Sequence, residues 1–165
     1  MAQRKLTAYH EAGHVVAAHV LGLDITGVNI DSGEETVVRY LGQAGIPVDY
    51  ARVYDSDRAD DYVERQLVCY YAGAAAEEVL TEEPVEWGHR GYYRSDWNGS
   101  ADCVVELAGY DEEKQQQVSE TGWMKAHTIM TENWDKVRTL AEALIEHGKV
   151  DGDRVERLLI DDERA

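Results

Sequence analysis

The sequence predicts a single domain, residues 1–165, that is mainly α-helical with a small β-hairpin or sheet. Two observations predict this class. Long stretches repeat apolar residues at helical spacing, whereas β-branched runs flank a turn signal at only one place. The length is typical of one domain, and 44% hydrophobic residues can supply its core. Two cysteines, Cys69 and Cys103, are too few for a disulfide framework, and we interpret Cys69 as a small buried hydrophobe.

The first predicted helix covers residues 5–21, where apolar side chains extend one face. Residues 25–30 and 36–41 are β-branched runs on either side of Asp31-Ser32-Gly33, a turn signal that predicts a hairpin. A second long helix is predicted over residues 57–80. The hairpin is either a strand edge on which an extended ligand could pair or a lid on the core.

Helical spacing returns in the C-terminal half of the chain. We expect a helix over residues 101–108, and then a helical region that continues to His147 and ends at Gly148. A turn at residues 151–153 precedes a short last helix. Residues 87–97 are rich in Trp, Tyr and Gly, and two interpretations stay open: a substrate-binding loop, or a surface loop with its aromatics packed on the core.

The pentapeptide His10-Glu11-Ala12-Gly13-His14 carries the clearest chemical signal. Residues four apart lie one above the other on a helix, so two imidazoles at this spacing can reach one metal ion from the same side. Glu11 is then placed to take a proton from water, which zinc can acidify to a pKa of about 7. This is the HExxH pattern of zinc metallopeptidases. The alternative is a pair of buried structural histidines, although packing alone requires no glutamate after the first.

A catalytic zinc ion usually has three protein ligands and one open position. A third histidine six residues after His14 is excluded, because Val20 stands there. The third ligand therefore comes from a distant His, Asp, Glu or Cys.

The run Ala8-Tyr9-His10-Glu11-Ala12-Gly13-His14-Val15-Val16-Ala17 resembles the peptidase domain of the FtsH family, the M41 zinc proteases. Residues 72–78 resemble the family helix that ends in Ala-Ala-Glu-Glu, and Gly99-Ser100-Ala101-Asp102 resembles its Gly-x-x-Asn-Asp segment. Residues 123–160 resemble the closing helices of the family. The resemblance covers nearly the whole chain and implies an FtsH-protease-domain-like helical zinc peptidase.

The resemblance implies Zn²⁺ as the cofactor and Asp102 as the third ligand beside His10 and His14. Ala101 stands where the family usually has Asn, and Asp96 and Cys103 stay open as alternative ligands. We interpret Glu77 as a carboxylate that could orient a ligand histidine, with a solvated helix end as the alternative.

Composition excludes several classes of partner. A net charge of −17, from 33 acidic and 16 basic residues, argues against nucleic acid and anionic membranes. No apolar run reaches the roughly 18 residues that span a bilayer, and we find no signal peptide, so we expect a cytoplasmic location.

The sequence contains no P-loop, because Gly148-Lys149 lacks a glycine-rich lead-in. FtsH-family members couple the peptidase to an ATPase, whereas this sequence has no P-loop. We therefore expect this chain to cleave peptides and unfolded polypeptides without ATP. An ATPase partner supplied in trans and a homo-oligomer stay open. The alternatives are a zinc-binding regulatory or interaction protein with a peptidase-like fold, and a metallohydrolase acting on a non-peptide amide.

Overall fold

The computed structural model describes residues 3–23, 25, 27–31, 56–85 and 94–161. Within these ranges the chain is mainly helical with a small two-stranded antiparallel sheet, as predicted. No helix among them combines the length and apolar character needed to cross a lipid bilayer. The elements, in chain order, are α1 (Gln3–Val20), β1 (Gly27–Asn29), α2 (Ser56–Thr81), α3 (Arg94–Ala108), α4 (Glu112–Glu132), α5 (Trp134–His147), β2 (Lys149–Asp151) and α6 (Gly152–Asp161).

Helix α1 lies inside the molecule, and every residue from Ala8 to Ala18 is buried. It packs against α2 and α5, while α2 also packs against α3 and α4. A helix buried on all sides needs small side chains where another helix approaches it. Gly13 meets this need, because a Cβ there would lie 2.6 Å from the Ala72 carbonyl oxygen and 2.7 Å from the Ala76 Cβ.

Cys69 is fully buried in this core, as predicted. The largest completely enclosed side chains come from several helices and from β2, so the core is shared by the whole described structure. They include Leu67, Met130, Leu140, Leu144, Val150 and Leu159.

The sheet differs from the predicted hairpin. Strand β1 pairs antiparallel with β2, which comes from the C-terminal part of the chain, and Val28 lies opposite Val150. Both valines are buried. The sequence indicated only a turn at Asp151, since three residues are too few to show alternation. Residues 36–41, the second strand of the predicted hairpin, lie outside the described residues.

Two helix boundaries also differ from the prediction. Asn133 interrupts the C-terminal helical region, because its backbone (φ −117°, ψ 27°) is not helical. Its backbone and side-chain N–H groups both donate to the Ile129 carbonyl at the end of α4. Helix α3 begins at Arg94, seven residues before the predicted start. Gly99 and Asn98 are weak helix formers that hid this first part of α3.

A polar contact joins the start of α1 to the end of α5. The Arg4 side chain donates to the Ile145 carbonyl at 3.3 Å and to the Asp31 carboxylate at 2.5 Å. Gly148 ends α5 with a φ of 74°, and a Cβ there would overlap the Asp31 carboxylate. Glycine at this position therefore satisfies a left-handed backbone and also leaves room for the Arg4 partner.

We expect Gly148→Ala to destabilise the protein more than Gly109→Ala. Both glycines have a positive φ, but only Gly148 faces another group, whereas a Cβ at Gly109 would have no described neighbour within 4 Å. Strain at positive φ costs about 1 kcal/mol or more, and displacing Asp31 from Arg4 adds up to about 1 kcal/mol. Urea unfolding of both variants measures the difference, and equal losses would contradict a contribution from the Asp31 contact.

Candidate metal centre

Three helices bring ionisable side chains together in the interior. Helix α1 supplies His10 and His14, each 5% exposed, and α3 supplies Asp96 from its first turn. Helix α2 lies beside them at Gly73, where a Cβ would be 2.6 Å from Nε2 of both histidines. The absence of a side chain at Gly73 therefore leaves room for the two rings.

Three potential ligand atoms form a small triangle at this point. His10 Nε2 lies 3.0 Å from His14 Nε2 and 3.0 Å from Asp96 Oδ2, and the third side is 3.2 Å. Ligands around a tetrahedral zinc with bonds of about 2.0 Å are separated by roughly 3.3 Å. The triangle is close to that size. Among the described residues, these three side chains form the one group of at least three potential metal ligands that lie close together.

The outer nitrogens of both rings are held by the protein. His10 Nδ1 lies 2.9 Å from a Glu77 carboxylate oxygen, and His14 Nδ1 lies 2.7 Å from the Cys69 carbonyl oxygen. Both partners are acceptors, so each Nδ1 carries the proton and donates. The neutral tautomers then present the Nε2 lone pairs to the interior. Glu77 makes the contact that orienting a ligand histidine would require.

The residues fit a bound cation. Two Nε2 lone pairs and one carboxylate oxygen converge, and three acceptors at about 3 Å repel one another unless a positive charge lies among them. The buried carboxylates of Glu11 and Glu77 and the partly buried carboxylate of Asp96 add to this negative potential. Imidazole and carboxylate are the donors that zinc accepts in catalytic sites.

Proton affinities in the metal-free protein show the same preference for positive charge. Burial lowers the pKa of His10, but hydrogen bonds to Asp96 and Glu77 outweigh burial and raise it to about 10. Burial also lowers the pKa of His14, and the Asp96 charge raises it above its ordinary value. For Asp96, burial raises the pKa, but the two histidines hold it below its ordinary range.

Glu11 lies beside this triangle and is 8% exposed. Its Oε2 is a buried oxygen that has no hydrogen-bond partner within the described structure. Burial is the largest cause of a raised pKa for Glu11; the nearby histidines lower the pKa in part, and Asp96 raises it further. A buried carboxylate with one oxygen unoccupied can accept a proton from a molecule that enters the site.

The structure places Asp96, and not Asp102, beside the two histidines. Asp102 is exposed and lies outside the histidine cluster, and Asp96 occupies the position next to both Nε2 atoms. The two aspartates are six residues apart on α3, which turns their side chains about 120° away from each other. Helix α3 therefore cannot present both to the histidines.

The structure also locates the alternative ligand Cys103 and part of the aromatic segment 87–97. Cys103 is buried but lies outside the cluster, and burial raises the pKa of its thiol to about 12, so it is not a ready ligand. The hairpin turn at residues 32–33 and the aromatic stretch 87–93 lie outside the described residues. Asp96 belongs to the segment predicted as a loop, and its only signal in the sequence was its type and its distance from the histidines.

Comparison with known proteins indicates a distant relation to FtsH-type proteases. The chain is 26% identical to the ATP-dependent zinc metalloprotease FtsH of Rickettsia bellii, across 95% of the chain and 29% of the relative. It is 23% identical to ATP-dependent zinc metalloprotease FtsH 1 of Sphaerobacter thermophilus, across 94% of the chain and 28% of the relative. The chain thus spans less than a third of these curated relatives. No protein-family model matches it.

We expect Asp96→Ala to reduce zinc content, whereas Asp102→Ala leaves it unchanged. The first variant removes an atom of the triangle, and the second changes an exposed side chain on another face of the same helix. Loss of a ligand should lower zinc affinity by more than the roughly 10- to 100-fold that is typical when a residue orienting a ligand is removed. Metal analysis after dialysis against a zinc buffer measures both variants, and metal loss in Asp102→Ala alone would reverse the assignment.

We expect Gly73→Ala to weaken zinc binding by about 10- to 100-fold, because the new methyl group would displace both ligand nitrogens. The matched control is Gly122→Ala on α4, whose Cβ would meet Leu67 and Tyr71 at 3.0 to 3.2 Å, away from the histidines. Chelator competition reports zinc affinity, and thermal unfolding reports stability. Normal zinc affinity in Gly73→Ala would show that the close approach of α2 is not needed for the site.

Proposed function

We propose that this chain is a zinc-dependent metallopeptidase that hydrolyses peptide bonds in unfolded or flexible polypeptides. The observation that carries the proposal is the convergence of His10 Nε2, His14 Nε2 and Asp96 Oδ2 beside the buried carboxylate of Glu11. The relation to proteins named as zinc metalloproteases supports it. Both the type of residues and their arrangement suit metal-assisted hydrolysis.

In this proposal His10, His14 and Asp96 hold the ion. Glu77 and the Cys69 carbonyl orient the histidine rings by accepting from their Nδ1–H groups. A zinc ion held there supplies a Lewis acid that acidifies water and polarises a carbonyl group. The surrounding helices keep the ligands rigid, because the residues on α1 from Ala8 to Ala18 are all buried.

Glu11 acts as the general base and then as the general acid. Its carboxylate removes a proton from the attacking water and returns it to the leaving amine. Both roles need a group whose pKa is raised toward neutrality, and burial raises the pKa of Glu11. Because Glu11 lies in the buried stretch of α1 between His10 and His14, the packed helix holds its backbone next to the ligands.

The substrate must be extended where it is cleaved, because a scissile carbonyl has to enter the site between packed helices. A folded domain with about 5 to 15 kcal/mol of stability exposes such a segment only rarely. The relatives are named as ATP-dependent, but the 165-residue sequence carries no P-loop. We therefore propose that the purified chain cleaves peptides and unfolded segments without ATP.

We expect Glu11→Gln to retain zinc and to lose hydrolysis by about 10²- to 10⁴-fold. The amide preserves size but cannot take the proton, and Glu11 does not belong to the ligand triangle. Cleavage of an unfolded protein followed by mass spectrometry, combined with metal analysis, tests this. The control is Glu64→Gln, an exposed glutamate on α2. Full activity in zinc-loaded Glu11→Gln would overturn the mechanism.

We expect cleavage to follow the unfolding of the substrate. A destabilised variant of a model protein should be cleaved faster than its stable parent, roughly in proportion to its larger unfolded fraction. The measurement compares initial cleavage rates with and without ATP. Equal rates for both substrates would contradict the need for an extended segment, and stimulation of the purified chain by ATP would contradict its independence from ATP.

A further inference from the structure

A second concave site lies between α3 and α4, with part of α2 as its floor. Its volume is about 620 Å³, within the range of roughly 300 to 1,000 Å³ that ligand sites occupy. None of the three candidate metal ligands lines it, so it is separate from the metal centre. We call this site the α3–α4 groove.

The walls of the α3–α4 groove are apolar on the α3 side. Trp97, Ala101 and Val104 follow one another there at helical spacing. Val105 lies next to Val104, and Trp123 lines the groove from α4. Val105 is 40% exposed, so this apolar stripe is only partly covered by the rest of the described structure. Two indole rings and a partly exposed valine suit an apolar side chain inserted between the helices.

The rim of the groove is acidic. Glu78, Glu112 and Glu120 line it, and the described lining residues include no Lys or Arg. Glu78 accepts from the Val85 backbone N–H, and Glu120 accepts from the Gln116 amide, both neutral donors. Among the described residues, no Lys or Arg is paired with these three carboxylates. Together with a chain charge of −17, this favours a cationic ligand.

We propose that the α3–α4 groove binds a basic amphipathic segment of another polypeptide. Such a segment places apolar side chains between Trp97 and Trp123 and sets Lys or Arg against the glutamates of the rim. Apolar walls combined with an acidic rim that holds no described Lys or Arg distinguish this ligand from an acidic or a purely apolar one.

The test uses the full chain carrying Glu11→Gln, so that peptide binding is read without cleavage. The probe is a fluorescein-labelled peptide of about 12 residues, roughly three helical turns, with Leu at helical spacing and Lys elsewhere. We expect saturable binding by fluorescence anisotropy that weakens as salt is raised. A peptide with Glu in place of every Lys should not bind, and equal binding of both peptides would overturn the proposal.

Matched charge variants locate the binding. Glu112→Gln/Glu120→Gln should weaken binding at least about threefold, because two contacts between exposed charges are lost. Glu113→Gln/Glu132→Gln changes the net charge equally on the same helix outside the groove and should leave affinity unchanged. Equal weakening by both pairs would show attraction to the net charge alone and would overturn the groove assignment.

The apolar wall supplies an independent variant. Val105→Ser changes a partly exposed side chain, so folding should be preserved, as circular dichroism checks. We expect at least about threefold weaker peptide binding, and unchanged affinity would contradict an apolar anchor in the groove. Sedimentation of the free protein adds a last outcome. Self-association that the peptide reverses would assign the groove to a second copy and overturn the proposal.

Discussion

The backbones of α1 and α2 approach each other at two glycines, and the rest of the described structure depends on this approach. Gly13 on α1 faces the Ala72 carbonyl and the Ala76 methyl group, and Gly73 on α2 faces the two histidine rings. Larger side chains at either position would separate the helices. The separation would move Glu77 and the Cys69 carbonyl, which come from α2, away from the rings that they orient. Core packing and ligand geometry therefore have one shared cause.

The same approach places several ionisable groups where burial is costly. A buried charge without compensation costs several kcal/mol, and a buried pair is stabilising only with good geometry and further hydrogen bonds. Here the histidines, Asp96 and Glu77 satisfy one another in the metal-free protein. Glu11 is the member whose second oxygen is left without a described partner. The candidate ligands therefore have hydrogen-bond partners that offset the cost of their burial, whereas one oxygen of Glu11 does not.

The sequence predicted the parts of the structure that follow from local spacing. The positions of His10 and His14 on one helix and the second long helix needed only helical periodicity. The third acidic group depended on where α3 begins, and Gly99 with Asn98 made that start look like a loop. An assignment by resemblance then selected Asp102, although the helix turns that residue to solvent. The pairing of β1 with β2 joins residues more than 100 positions apart, which local patterns do not encode.

Asp96 lies in the first turn of α3, where backbone N–H groups have no acceptor within the helix. A carboxylate at that end is already favoured by the helix dipole. If a metal ion binds this carboxylate together with the histidines of α1, the ion also links the first turn of α3 to the buried helix. Ion binding and the ordering of this turn are then linked equilibria, since whatever binds the folded state stabilises it. Depleting the metal would therefore loosen a part of the scaffold as well as stop the chemistry, and an inactive preparation could owe its inactivity to a frayed helix.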